Sequence, residues 1–180
     1  MIVLVLGGAR SGKSAVAEGW AAALAGDGPV SVLATAVVAD DDMAARVAAH
    51  RARRPPGWDT VEAGPDLAGA LRTVTGVALV DSLGTWLAQA HGFQADVEGL
   101  CAALSGPGHA VAVSEEAGLG VHPSTAVGLR FRDALGIVNQ AVAAVADEVV
   151  LVVAGRVLRL DAGPTTPAAL RAGASHEGGR

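Results

Sequence analysis

The segment Ile2-Val3-Leu4-Val5-Leu6-Gly7-Gly8-Ala9-Arg10-Ser11-Gly12-Lys13-Ser14 decides the fold. Five consecutive aliphatic residues describe a strand buried on both faces. The next eight match the phosphate-binding pattern G-x-x-x-x-G-K-[ST], and a helical pattern follows them. A glycine-rich turn between such a strand and a helix lets successive backbone N–H groups point at one anion, at the positive end of the helix dipole. Lys13 would neutralise the β- and γ-phosphates of a nucleotide, and the Ser14 hydroxyl would bind Mg²⁺. The bland alternative is a glycine-rich turn with a chance lysine. Composition weighs against it, because Lys13 is the single lysine among 13 basic residues.

Outward from this segment, short β-branched runs alternate with longer alanine-rich stretches. Strands are expected over 2–6, 30–35, 77–81, 110–115 and 148–153, and helices over 14–25, 41–53, 66–73, 83–91, 95–104 and 125–146. The run 157–160 follows Gly155-Arg156 so closely that it reads as an antiparallel hairpin partner at the sheet edge. The fold class is therefore α/β, of the P-loop (RecA-like) type: a mainly parallel sheet with helices on both faces and an antiparallel edge hairpin. Residues 1–160 read as one nucleotide-binding catalytic domain. From 161 to 180 the chain is rich in Gly, Ala, Pro and Thr without periodicity, which predicts a flexible tail.

Composition narrows the function. Five aromatic residues in 180 and a formal charge of −5 argue against a nucleic-acid platform, which needs positive potential and stacking rings. Cys101, the single cysteine, has no partner for an intrachain disulfide. The apolar stretch 141–154 is interrupted by Asp147 and Glu148, so no membrane span is expected, and the default location is cytoplasmic. A switch GTPase that reads guanine with Asn-Lys-x-Asp is also disfavoured, since Lys13 is already in use.

A magnesium-coordinating acid belongs at the end of a nearby strand. Asp81 fits, Glu115 and Glu116 compete with it, and a helix N-cap is the alternative duty for Asp81. The segment from Asp40-Asp41-Asp42 to Arg53-Arg54 is a helix with acids at its start and bases at its end, stopped by Pro55-Pro56. Arg46, His50 and Arg53 or Arg54 share one side of it and suit a polyphosphate. His50 also lies i+3 from Val47, so spacing alone equally describes a half-buried packing histidine. On the residues alone, a P-loop kinase for a small metabolite and a nucleotide-switched binding or assembly protein both remain open.

Three stretches together carry a resemblance. They are Gly7 to Ser14, the segment from Asp41-Asp42-Met43 through His50 to Arg54-Pro55, and Glu116-Ala117-Gly118-Leu119-Gly120-Val121-His122-Pro123 with Phe131-Arg132-Asp133, Val138-Asn139-Gln140 and Ala146-Asp147-Glu148. The chain resembles the bifunctional adenosylcobinamide kinase/adenosylcobinamide-phosphate guanylyltransferase family over residues 1 to about 160. The resemblance implies phosphorylation of adenosylcobinamide with ATP or GTP, then transfer of GMP from GTP to that phosphate, in adenosylcobalamin biosynthesis. It implies that His50 carries the guanylyl group, with Lys13 beside it in catalysis. It further implies a nucleotide site of Gly7, Gly8, Ala9, Arg10, Ser11, Gly12, Lys13, Ser14, Ala34, Thr35, Ala36, Arg51, Ala52, Arg53, Arg54, Glu62 and Asp81, and a homo-oligomer, a trimer, with corrinoid bound between subunits. Two departures accompany it: Glu115 stands where relatives commonly carry Asn, and Asp81 where they carry Glu.

Overall fold

Alternation along the first strand sets the two faces of the molecule. Ile2, Leu4 and Leu6 join one buried cluster, while Val3 and Val5 join another, so β1 (Ile2–Gly7) is enclosed from both sides. The computed structural model describes residues 1–36, 48, 52 and 54–161. Among them a seven-stranded sheet runs in the order β3-β2-β4-β5-β1-β6-β7. The remaining strands are β2 (Val30–Ala34), β3 (Asp59–Glu62), β4 (Val77–Asp81), β5 (His109–Glu115), β6 (Glu148–Val153) and β7 (Arg156–Arg159). Every pairing is parallel except β6 with β7, the antiparallel edge pair the sequence predicts.

Helix α1 (Lys13–Ala25) covers one face through Ala17 and Ala21, with Trp20, Leu24 and Trp58 packed at its margins. Among the described residues, four helices cover the other face: α2 (Leu67–Thr73), α3 (Leu83–Gln89), α4 (Val97–Leu104) and α5 (Ala126–Val145). They bury Leu67, Leu71, Leu83, Trp86, Leu87, Leu100, Leu104, Leu135, Val138 and Val142 against Ile2, Leu4 and Leu6. In α5 the buried residues Leu135, Val138, Asn139 and Val142 fall at i, i+3, i+4 and i+7, one stripe of a 3.6-residue helix. The buried Trp86 indole donates to Pro65 O at 3.0 Å, which satisfies its one polar atom.

The structure corrects the sequence expectations at three places. β3 was not anticipated: its four residues are exposed, and it holds as an edge strand only by pairing with β2. The helix expected over 83–91 ends at Gln89, and a separate 3₁₀ turn, His91–Phe93, follows, with Gly92 and Phe93 at positive φ. The helix expected from 95 starts at Val97, because the Asp96 side chain accepts from Gly99 N and caps it. Most of the helix expected over 41–53 lies outside the described residues, as does the tail expected over 161–180 from residue 162 onward. Ala48 and Ala52 are helical and exposed.

Candidate active site

The parallel strands deliver their carboxyl ends to one edge of the sheet, where α/β proteins hold ligands. Gly7 ends β1 and stands opposite Glu115, the last residue of β5. Ala34 ends β2 and stands opposite both Glu62 of β3 and Asp81 of β4. Residues far apart in sequence thus line a single rim, with β5 lying between the strand of the glycine-rich loop and the strand that ends in Asp81.

The loop itself wraps as its sequence requires. Arg10 adopts φ 55° and Gly12 φ 95°, left-handed backbone that bends the chain from β1 into α1. Gly12 caps α1 without a side chain, so no capping carboxylate occupies the positive end of the helix dipole. Ser11 is buried. Its Oγ accepts from Lys13 N at 3.3 Å, and its carbonyl accepts from Gly155 N at 2.8 Å, so the β6–β7 turn braces the loop from behind. Lys13 Nζ donates to Gly8 O at 3.2 Å and lies 3.7 Å from Glu115 Oε1, while Ser14 follows in the first turn of α1.

Around the loop, the predicted residues divide by task. Thr35 is buried, and its hydroxyl donates to Ser82 O at 2.6 Å and accepts from Ser82 N at 2.9 Å. It also meets Thr85 Oγ1 at 2.6 Å, so Thr35 ties the end of β2 to the start of α3. Ser82, not Asp81, caps α3 through a capping box with Thr85, which removes the N-cap alternative for Asp81. Asp81 Oδ2 instead accepts from Arg54 Nη2 at 2.9 Å, and Arg54 Nε lies 3.8 Å from Glu18 Oε1 on α1. Arg54 is thereby placed between two carboxylates. Glu62 is exposed at the end of β3, beside Ala34. Ala36 lies just beyond Thr35. His50, Arg51 and Arg53 lie outside the described residues.

Sequence reasoning missed the supporting residues. Glu18 gave no signal beyond its place on a polar helix face. Asn139 stood in a motif without a role; its Oδ1 accepts from the buried Ser114 Oγ at 2.6 Å and its Nδ2 donates to Glu115 O at 3.1 Å, which fixes the end of β5. Glu116, a competing candidate for the metal, accepts from Gly118 N at 3.0 Å through its Oε1, while its own N–H donates to Gly7 O. Among the described residues, no three His, Cys, Asp or Glu side chains gather as a metal site. Magnesium at a phosphate cradle needs fewer: a hydroxyl or one carboxylate plus phosphate oxygens, which the Ser14 hydroxyl suits.

A strand–loop–helix phosphate cradle at the carboxyl rim of a parallel sheet, with one strand between the loop strand and the acid-bearing strand, defines a P-loop nucleotide-binding protein of the α/β class. Residues 3–160 match the family described as cobinamide kinase / cobinamide phosphate guanyltransferase. The chain belongs to that enzyme family. It is 38% identical over 179 aligned residues to the bifunctional adenosylcobalamin biosynthesis protein CobU of Salmonella typhimurium, covering 86% of this chain and 97% of that protein. It is 40% identical over 173 residues to the bifunctional adenosylcobalamin biosynthesis protein CobP of Pseudomonas aeruginosa, covering 89% and 98% respectively. The CobU protein of Escherichia coli K12 is 40% identical over 179 residues, with 86% and 97% covered.

Proposed function

We propose that this protein phosphorylates adenosylcobinamide with ATP or GTP, and then transfers GMP from GTP to the new phosphate to form adenosylcobinamide-GDP. The observation that carries the reading is the open cradle of Gly7 to Ser14, with Lys13 at the start of α1, inside a chain that matches the family over residues 3–160.

In the kinase step the cradle holds the nucleotide so that its γ-phosphorus faces the corrinoid hydroxyl. The hydroxyl oxygen bonds to the γ-phosphorus and gives up its proton to solvent, the bond from that phosphorus to the β–γ bridging oxygen breaks, and the nucleoside diphosphate leaves with that oxygen. Backbone N–H groups and Lys13 meet the charge that moves onto the leaving group. In the guanylyl step the neutral imidazole of His50 attacks the α-phosphorus. A nitrogen–phosphorus bond forms, the α–β bridging bond breaks, and pyrophosphate leaves. The phosphate oxygen of adenosylcobinamide phosphate then attacks the same phosphorus and releases His50. A covalent step lets a bulky corrinoid follow pyrophosphate at one site. The Ser14 hydroxyl would hold Mg²⁺, which would supply charge neutralisation to the phosphates. Arg51 and Arg53 are the nearby cations in sequence, while Arg54 is engaged by Asp81. The working form in this reading is a cytoplasmic homo-oligomer, a trimer, with the corrinoid between subunits. No helix among the described residues is long and apolar enough to cross a membrane.

The test is covalent trapping. Protein mixed with GTP labelled at the α-phosphate acquires label that survives alkali and is lost in acid. His50→Ala acquires none. Label retained by that variant sinks the assignment of His50, and a wild-type protein that never labels sinks the guanylyl half of the reading.

A further inference from the structure

Glu115 is held in place more tightly than a rim residue needs to be. Both of its carboxylate oxygens accept from Ser82 Oγ, at 3.1 and 3.2 Å. Its backbone is fixed by Asn139 and by pairing opposite Gly7. Across from it stands Gly84 on α3, where a Cβ would displace the Glu115 carboxylate from its present position. The group so placed lies 3.7 Å from Lys13 Nζ, with the lysine side chain 12% exposed and the glutamate 35%.

We infer that Glu115 is an internal counter-ion of the P-loop lysine and sets how tightly this site holds polyphosphate. A phosphate arriving at the loop either draws Lys13 away from the carboxylate or shares it. In the first case the ion pair is broken. In the second a phosphate and a carboxylate, both anionic, crowd one ammonium. Either way the negative charge of Glu115 weakens phosphate binding, and a weaker hold speeds release of pyrophosphate or nucleoside diphosphate between the two reactions at one cradle. This rests on the nucleotide reading above. It differs from a scaffolding role in sign, because loss of a scaffold residue loosens the loop and weakens binding, whereas loss of a competing charge tightens it.

The experiment is titration calorimetry of the full chain with inorganic pyrophosphate and with GTP, each in EDTA and in Mg²⁺. Wild type is compared with Glu115→Gln, Glu115→Asn and Glu98→Gln. Gln keeps one oxygen acceptor for Ser82 Oγ, replaces the other oxygen with an NH2 group, and removes the charge at nearly constant size. Asn, smaller still, must shift affinity in the same direction should Gln disturb folding. Glu98, exposed on α4, controls for net charge. Both Glu115 variants are expected to bind both ligands about two- to fivefold more tightly in EDTA, the range a partly exposed ion pair supports, with Glu98→Gln matching wild type. Equal or weaker binding by the Glu115 variants overturns the inference while wild-type binding leaves the nucleotide reading standing. Weakening confined to Mg²⁺ also overturns it, since the carboxylate would then be a metal ligand. Absence of binding by wild type brings down the nucleotide reading and the inference together.

Discussion

Arg54 Nη2 donates a 2.9 Å hydrogen bond to Asp81 Oδ2, and its side chain is only 8% exposed. The contact joins the chain just after the predicted histidine helix to the end of β4, and Glu18 on α1 approaches the same guanidinium. An arginine that helical spacing and the family resemblance assign to phosphate is therefore enclosed by protein carboxylates. Its position holds three segments of the rim in register.

Asp81→Asn removes one charge of this enclosed pair and leaves the guanidinium with a weaker partner. The expected loss of stability is about 3 kcal/mol, read as a lower urea midpoint. Arg54→Lys should also destabilise, because an ammonium cannot reproduce the guanidinium fork. Asp133→Asn breaks the exposed Arg132–Asp133 pair and should stay within about 0.5 kcal/mol.

Lys13→Ala should lower both phosphoryl and guanylyl transfer by about 100-fold or more, while the urea midpoint moves little. Among the described residues the polar partners of the Lys13 ammonium are Gly8 O and Glu115, so the fold depends little on it. Rates for the two half-reactions, measured separately, check that one cradle serves both.

Asn139→Ala strands two partners, the buried Ser114 hydroxyl and the part-buried Glu115 carbonyl. A cost of about 1–3 kcal/mol is expected from the unfolding curve. Asn139→Asp should be no milder, because it loses the donor to Glu115 O and buries a charge at a residue 7% exposed.

Burial raises the Cys101 thiol above its ordinary range by disfavouring the charged thiolate. Since the thiolate is the nucleophile, Cys101 should react with iodoacetamide more slowly than free cysteine at pH 8. Its rate should keep rising at pH values where that of free cysteine has levelled. A pH–rate profile on the folded protein, with an unfolded control in urea, measures the difference.

Much of this architecture was legible before any coordinates. Buried strands such as 2–6 and 148–153 are continuous aliphatic runs, and the glycine-rich loop lies between the first of them and a helix. β3 was not legible, because Asp59-Thr60-Val61-Glu62 has neither an apolar run nor a buried face. Thr35, which the resemblance places at the nucleotide, also holds Ser82 and Thr85; nothing in its neighbourhood along the chain reveals partners 47 and 50 residues away. Glu115 was noticed as a strand-end acid, but its place beside Lys13 depends on the pairing of β5 with β1.

The sequence by itself determined the phosphate cradle, the α/β class and the family, because local periodicity, backbone-compatible glycines and one necessary lysine are properties of contiguous residues. Tertiary structure alone decided which charges face one another at the rim. Strand order and register bring Glu115 to Lys13 and Asp81 to Arg54, and electrostatic interaction depends on distance in space, which spacing along the chain does not measure.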